Sequence, residues 1–446
     1  MSHMHIREEM SMSNLVDIAD AMQTVLKEEA NRLAKETEFI KRQRKFSGAS
    51  FAQTLVFGWM ANPESSLEEL QQAAAAAGVD VTAQAIDQRF TKEAATFMIE
   101  LLETAVTQAM SAETPTAIEL FEQFSGVYLD DGSVISLPVE LASEWEGCGG
   151  TSGATAAMKL QFSFDIKYGR IRGLWLRPGK EPDASSPSQS AVLPAYSLRI
   201  QDKGFHSIVV MKRFLEEYVY CLCPLKLGVN IYDASGQPLD LVTYLQAQTA
   251  DEVDLSVQFG AKQRFICRLL AQRVPEDVAE ARREKIREEA RDKGRAPSKQ
   301  ALALAGWTLL VTTVPHALLS VAEAMMLYRV RWQIELMFKL WKSLFLVDEW
   351  RSEKPWRILC EVAAKLLVVI VQHWIFLTTC WQYADKSLMK AAATIKKFAF
   401  AIARVFPWRS QLCAVLCDIK RCLASGCRVQ KRKRKPATFQ HLMNTS

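Results

Sequence analysis

The feature that most constrains this chain is a change of texture near Phe124. Before it, from about Leu15 to Ala112, the residues are rich in Ala, Leu, Glu, Gln and Met, which favour helices. After it come short apolar or alternating runs broken by glycine and proline. Val127 to Leu137, Leu160 to Lys167 and Ile171 to Arg177 read as strands, the last two joined as a hairpin through Tyr168-Gly169-Arg170. Leu198 to Gln201 reads as a short strand, Ser207 to about Glu217 as a helix, and Val219 to Cys223 as a further strand. Three leading strands followed by alternating strand and helix predict an α/β fold on a mixed sheet.

The chain has 446 residues, room for several domains, and its 49% hydrophobic and 24% charged residues exclude a disordered or fibrous class. Its net charge of +5 is concentrated. Arg428, Lys431, Arg432, Lys433, Arg434 and Lys435 form a basic tail, without which the chain is close to neutral, and Lys41, Arg42, Arg44 and Lys45 form a second short cluster. Clustered basic charge suits a polyanion better than diffuse charge does, although a solubilising tail would look the same. Ten cysteines without disulfide-scaffold spacing point to a reducing cytoplasm. Cys413, Cys417, Cys422 and Cys427 lack the paired spacing of a zinc site and read as free thiols. The apolar stretch Leu366 to Trp381 is short for a membrane span and carries Gln372 and His373, so it predicts a buried core helix and no membrane partner.

Two helices are predicted around Gly78. Ser66-Leu67-Glu68-Glu69 opens the first as a capping box, and Thr82 opens the second, which runs through Gln84, Gln88 and Arg89. Such a pair is either a structural bundle element or a helix-turn-helix whose second helix offers Gln84, Asp87, Gln88 and Arg89 to DNA. Between Leu227 and Val314 lies an interruption too long for a plain connection, with strand-like runs at Phe265 to Leu270 and Trp307 to Thr313. Its charged segment, Arg282 to Lys299, reads as a helix or an exposed loop.

Tyr328, Arg331, Glu335, Lys339 and Lys342 are spaced three, four, four and three apart, so on a helix they share one face. Val330, Ile334, Met337, Trp341 and Leu344 fall opposite and would face a core. Charge pairing on a solvated face is one explanation. The spacing Y-x2-R-x3-E-x6-K also resembles the signature of bacterial insertion-sequence DDE transposases of the insertion-sequence-4 family. Asp131-Gly132-Ser133 and Asp202-Lys203-Gly204-Phe205 are similar to that family's two aspartate elements.

The resemblance implies a ribonuclease-H-like core in which Asp131, Asp202 and Glu335 are the catalytic acids and hold two Mg2+ (or Mn2+) ions. It implies that Tyr328, Arg331 and Lys342 grip DNA phosphates, that Lys339 serves beside them, and that Trp307 stacks on a flipped base. A strand tryptophan is equally a core residue. The implied partners are double-stranded DNA, as terminal inverted repeats and target, and a second copy of the chain in a synaptic complex. The implied setting is the bacterial cytoplasm and nucleoid. The expected organisation is an added or disordered leader (1–13), a helical DNA-end-binding domain (14–115), the first part of the core (120–225), a β-rich inserted subdomain (226–314), core completion (315–355), a helical region (356–427) and the basic tail (428–446).

The residues themselves support two of the acids only partly. Strand alternation puts Asp131 in phase with Val127, Leu129, Ile135 and Leu137, and Asp130 with Tyr128 and Val134. A carboxylate on the more apolar side needs a metal or donor, which favours Asp131, with a turn-capping acid as the alternative. Asp202 sits where a strand ends and a helix follows, so a helix N-cap is its alternative. Asp165 matches no motif and reads as an exposed strand acid.

Overall fold

The computed structural model describes residues 15–42, 45–108, 110–149, 153–262, 264–381, 383 and 385–429. The leader, Arg44 and the lysines and arginines of 431–435 lie outside the described residues. The chain divides into two compact units. The first takes in 1–117, 132–181 and 334–439, and the second is built mainly from 118–131 and 182–333.

In the first unit, a π-helical turn at Thr24–Glu29 leads into α1 (Ala30–Glu36). Next come α2 (Gly48–Ala61), α3 (Leu67–Ala76), α4 (Ala83–Asp87) and α5 (Lys92–Thr107). Gly48 permits the close crossing of α2 over α1, because a Cβ there would lie 2.1 Å from the Ala30 carbonyl oxygen. The Ser66–Glu69 capping box starts α3 as expected, and Gly78 at φ +80° turns the chain after it. The next helix departs from expectation. α4 has five residues and stops at Asp87, leaving Gln88 and Arg89 in a turn while Phe90 enters the core.

The sheet has nine strands in the order β3-β2-β1-β4-β5-β9-β8-β7-β6. They are β1 (Val127–Leu137), β2 (Ala156–Asp165), β3 (Arg170–Pro178), β4 (Leu198–Gln201), β5 (Tyr220–Pro224), β6 (Ile231–Tyr232), β7 (Glu252–Phe259), β8 (Phe265–Arg273) and β9 (Trp307–Thr312). β1, β4 and β5 run parallel, β2 and β3 form the predicted antiparallel hairpin, and β5 to β9 pair antiparallel. The opening order 3-2-1-4-5 with parallel β1, β4 and β5 is consistent with a ribonuclease-H-like core. The second unit's α6 (Ile208–Glu216), capped by Ser207, joins β4 to β5.

Strands of the segment 226–314 join the sheet of the second unit. β9 pairs with β5, and Val257, Phe259, Leu269 and Val311 share one apolar cluster with Met211, Phe214 and Cys221. The charged segment forms α7 (Glu276–Asp292).

Two helices follow, α8 (Val321–Val330) in the second unit and α9 (Trp332–Leu344), almost all of it in the first. Val330, Ile334, Met337 and Trp341 are buried as the periodicity predicts, whereas Leu344 is half-buried and Phe345 takes the core position. In the first unit, Trp341 packs edge-on against Phe162 of β2 at 4.9 Å. The apolar stretch belongs to α10 (Pro355–Cys380), which is long and apolar enough to cross a membrane but is buried inside the protein against α5 and α2. Its charged pair, Glu361 and Lys365, is buried at 2.7 Å, and the Lys365 ammonium also donates to the carbonyls of Leu346 and Glu349, tying down the chain that leaves α9. The first unit closes with α11 (Leu388–Ile395), α12 (Ala399–Val405) and α13 (Arg409–Ser425).

Candidate active site

The register of two parallel strands brings the aspartates together. β1 and β4 pair from Val127↔Leu198 to Asp130↔Gln201, so the next residue on each strand is Asp131 and Asp202. Asp202 begins a short 3-10 turn, yet its carboxylate caps no backbone N–H, and Ser207 caps the helix that follows. The carboxylate instead meets side chains of α8. The Tyr328 hydroxyl donates to Asp202 Oδ1 at 3.4 Å. Burial pushes the Tyr328 phenol up to about 12, which keeps it protonated as a donor. Arg331 spans both acids, donating from a terminal nitrogen to Asp131 Oδ2 at 3.1 Å and placing its Nε 4.0 Å from Asp202 Oδ1.

Two carboxylates from different strands therefore share one cation. Hard divalent ions prefer this donor chemistry, and a guanidinium is the cation the carboxylates face here. Arg331 itself lies between α8 and α9, with helical dihedrals but an i→i−3 hydrogen bond to Tyr328. Among the described residues no three His, Cys, Asp or Glu side chains form a group arranged to hold a metal ion. Cys413, Cys417, Cys422 and Cys427 are free thiols.

Glu335, Lys339 and Lys342 stand on α9 in the first unit, with Glu335 and Lys342 half-buried and Lys339 exposed. The Lys342 ammonium donates to the Val134 carbonyl at 2.9 Å and lies 3.4 Å from Asp348. Gln84 and Gln88 are exposed and Arg89 is half-buried, but Asp87 is taken up by Lys354 at 2.5 Å and by Arg357 at 3.6 Å. With α4 so short, these residues flank a turn rather than line a long recognition helix.

Three residues stand in surroundings that the sequence did not show. Trp307 is buried in the apolar cluster of β8 and β9, and the Arg273 guanidinium lies 4.3 Å over its ring. Asp165, read as exposed, is buried, and its Oδ1 accepts from the backbone N–H groups of Lys167 and Tyr168 to close the β2–β3 turn. Asp130 is the more deeply buried of the neighbouring acids, so the apolar-side argument for Asp131 fails although the geometry favours that residue.

Sequence reasoning missed Arg199, the residue behind this arrangement. It is buried, and its Nε donates to Asp130 at 2.6 Å. Its other nitrogens bind the Gln189 side chain, the Ser188 carbonyl and the Ser188 hydroxyl. Arg199 thereby ties β4 to the 187–190 turn and to β1 at Asp130, the residue before Asp131. The only sequence signal was a charge inside an apolar strand.

Comparison with known proteins shows the family. The family described as Transposase DDE domain matches residues 123–371. The transposase for insertion sequence element IS231F of Bacillus thuringiensis subsp. israelensis is 26% identical over 361 residues, 76% of this chain and 75% of that protein. The transposase for insertion sequence element IS1151 of Clostridium perfringens is 22% identical over 374 residues, covering 79% and 78%. The putative transposase InsL for insertion sequence element IS186A of Escherichia coli (strain K12) is 31% identical over 252 residues, covering 54% and 64%. The match takes in the paired aspartates, the stripe on α8 and α9 and the sheet that carries them, and the chain belongs to the DDE transposase family.

Proposed function

We propose that this transposase cleaves the terminal inverted repeats of its element and joins them to target DNA, with Asp131, Asp202 and Glu335 as its catalytic acids. The observation that carries the reading is the convergence of Asp131 and Asp202, from separate strands, on one cation. Members of the family use divalent metal in general, and here two Mg2+ (or Mn2+) ions held by the three acids would stabilise charge on the attacking and leaving oxygens. Tyr328 stays protonated and orients the Asp202 carboxylate. Arg331 and Lys342 hold phosphates beside the reacting bond, the arginine through its planar fork and the lysine as a point charge, and Lys339 adds exposed positive charge. Gln84, Gln88 and Arg89 contact the element's end outside the cleavage site. Trp307 is the residue assigned to stack on a flipped base. The working form is a homodimer that pairs two ends, and the outcome is cut-and-paste, with water and then a 3′-hydroxyl as nucleophiles.

Purified protein incubated with Mg2+ and a labelled end duplex tests this reading. Cleavage followed by joining is expected, and Glu335→Gln should abolish cleavage while leaving end binding within about threefold. Binding without cleavage by the unaltered protein would make it a DNA-binding derivative of a transposase. Nicking without joining would make it a nuclease on the same core.

A further inference from the structure

Arg331 is placed to do two incompatible things. Its guanidinium is engaged with Asp131 at 3.1 Å and sits 4.0 Å from Asp202, and its side chain also lies 5.7 Å over the Tyr328 ring. The same carboxylates are the donors through which a divalent ion would bind. A carboxylate oxygen that faces a guanidinium is screened from a second cation, and two cations crowded at one site repel. We propose that Arg331 is an internal competitor of the metal, and that a DNA phosphate relieves the competition by drawing the guanidinium off the aspartates. This rests on Asp131 and Asp202 being the metal-binding acids.

Two observations and the chemistry of phosphate favour exchange over a fixed structural pair. The Arg331 and Asp131 side chains keep 16% and 15% of their surface exposed, and Asp202 keeps 44%, so water reaches all three. Separating them therefore costs less than parting a fully sealed pair would. Arg331 also sits where the helical hydrogen-bond ladder tightens between α8 and α9. A phosphate can offer a guanidinium two oxygens of one group, whereas Asp131 and Asp202 each face it with one. Linkage fixes the sign of the coupling. DNA raises metal affinity, and metal raises DNA affinity by the same factor.

The test is equilibrium Mn2+ binding to the full chain, read by titration calorimetry with and without an end duplex, so that no turnover is involved. Without DNA, Arg331→Gln should bind Mn2+ about tenfold more tightly than the unaltered protein. With the duplex, the unaltered protein should tighten by a similar factor and Arg331→Gln should not. Mn2+ affinity unchanged or weakened in a folded Arg331→Gln protein overturns the proposal. Asp131→Asn and Asp202→Asn separate the two failures. If they leave Mn2+ binding untouched, the assignment of the acids is wrong; if they abolish it while Arg331→Gln has no effect, the acids stand and the competition falls.

Discussion

Asp130 and Asp131 are neighbours on β1 and each faces an arginine, yet the two pairs have different surroundings. Asp130 and Arg199 each keep 1% of their side-chain surface exposed and meet at 2.6 Å, with every guanidinium nitrogen used. Asp131 and Arg331 meet at 3.1 Å with water reaching both. A sealed pair cannot separate without leaving a charge stripped of water, whereas a wetted pair exchanges partners at small cost. One strand thus carries a sealed ion pair and, one residue on, a carboxylate in a partly exposed pair. Burial separates the two roles, because both residues are aspartates.

The sharpest way to break this contrast is to remove each acid's charge in turn. Asp131→Asn should lower end cleavage by about a thousandfold or more, some 4 kcal/mol of transition-state stabilisation. Its urea-unfolding stability should change by less than about 1 kcal/mol. A large stability loss with residual cleavage would place Asp131 with Asp130, as structure rather than chemistry.

Arg199→Met probes the other pair. It leaves Asp130 buried without its cation, and a loss of about 3–5 kcal/mol in unfolding free energy is expected. Adding Asp130→Leu should recover a large part of that loss, since an apolar pair no longer strands a charge. If the single change lowers stability by less than about 1 kcal/mol, the pair is no strut and the contrast fails.

Much of this was legible in the sequence, and the exceptions have physical causes. β1 and β4 were readable to the residue because apolar runs flanked by turns define them. The stripe was readable because helical spacing brings distant letters to one face. The choice between Asp130 and Asp131 was not readable from alternation, since Val127 to Asp130 are all buried. In a strand with both faces covered, the two-residue period says nothing about inside and outside. Arg199 was hidden for a related reason: its partner lies 69 residues away, and only the parallel register shows that they meet. Asp165 looked exposed because turn capping leaves no spacing signal, and α4 looked longer because helix-forming residues continue past the point where Phe90 turns inward.

The contrast extends to a buried group with no counter-ion among its hydrogen-bond partners. His373 on α10 lies among Phe164 and Trp381, and its Nε2 donates to the Gly169 carbonyl at 2.6 Å. Burial pushes its pKa down to about 4 from an ordinary 6.5, and the hydrogen bond to Gly169 offsets only part of that. The unfolded chain therefore takes up the proton first as pH falls. The stability linked to neutral His373 is complete above about pH 6.5 and is lost as pH drops toward 4, by up to about 3 kcal/mol. His373→Gln keeps a donor for Gly169 but cannot titrate. Between pH 7 and 4.5 the unaltered protein should lose about 2–3 kcal/mol more unfolding free energy than this variant in urea titrations. Equal losses would mean that His373 gains a proton without leaving the fold, which would put water at a position the structure seals. Burial would then not be what separates fixed from exchangeable groups in this protein.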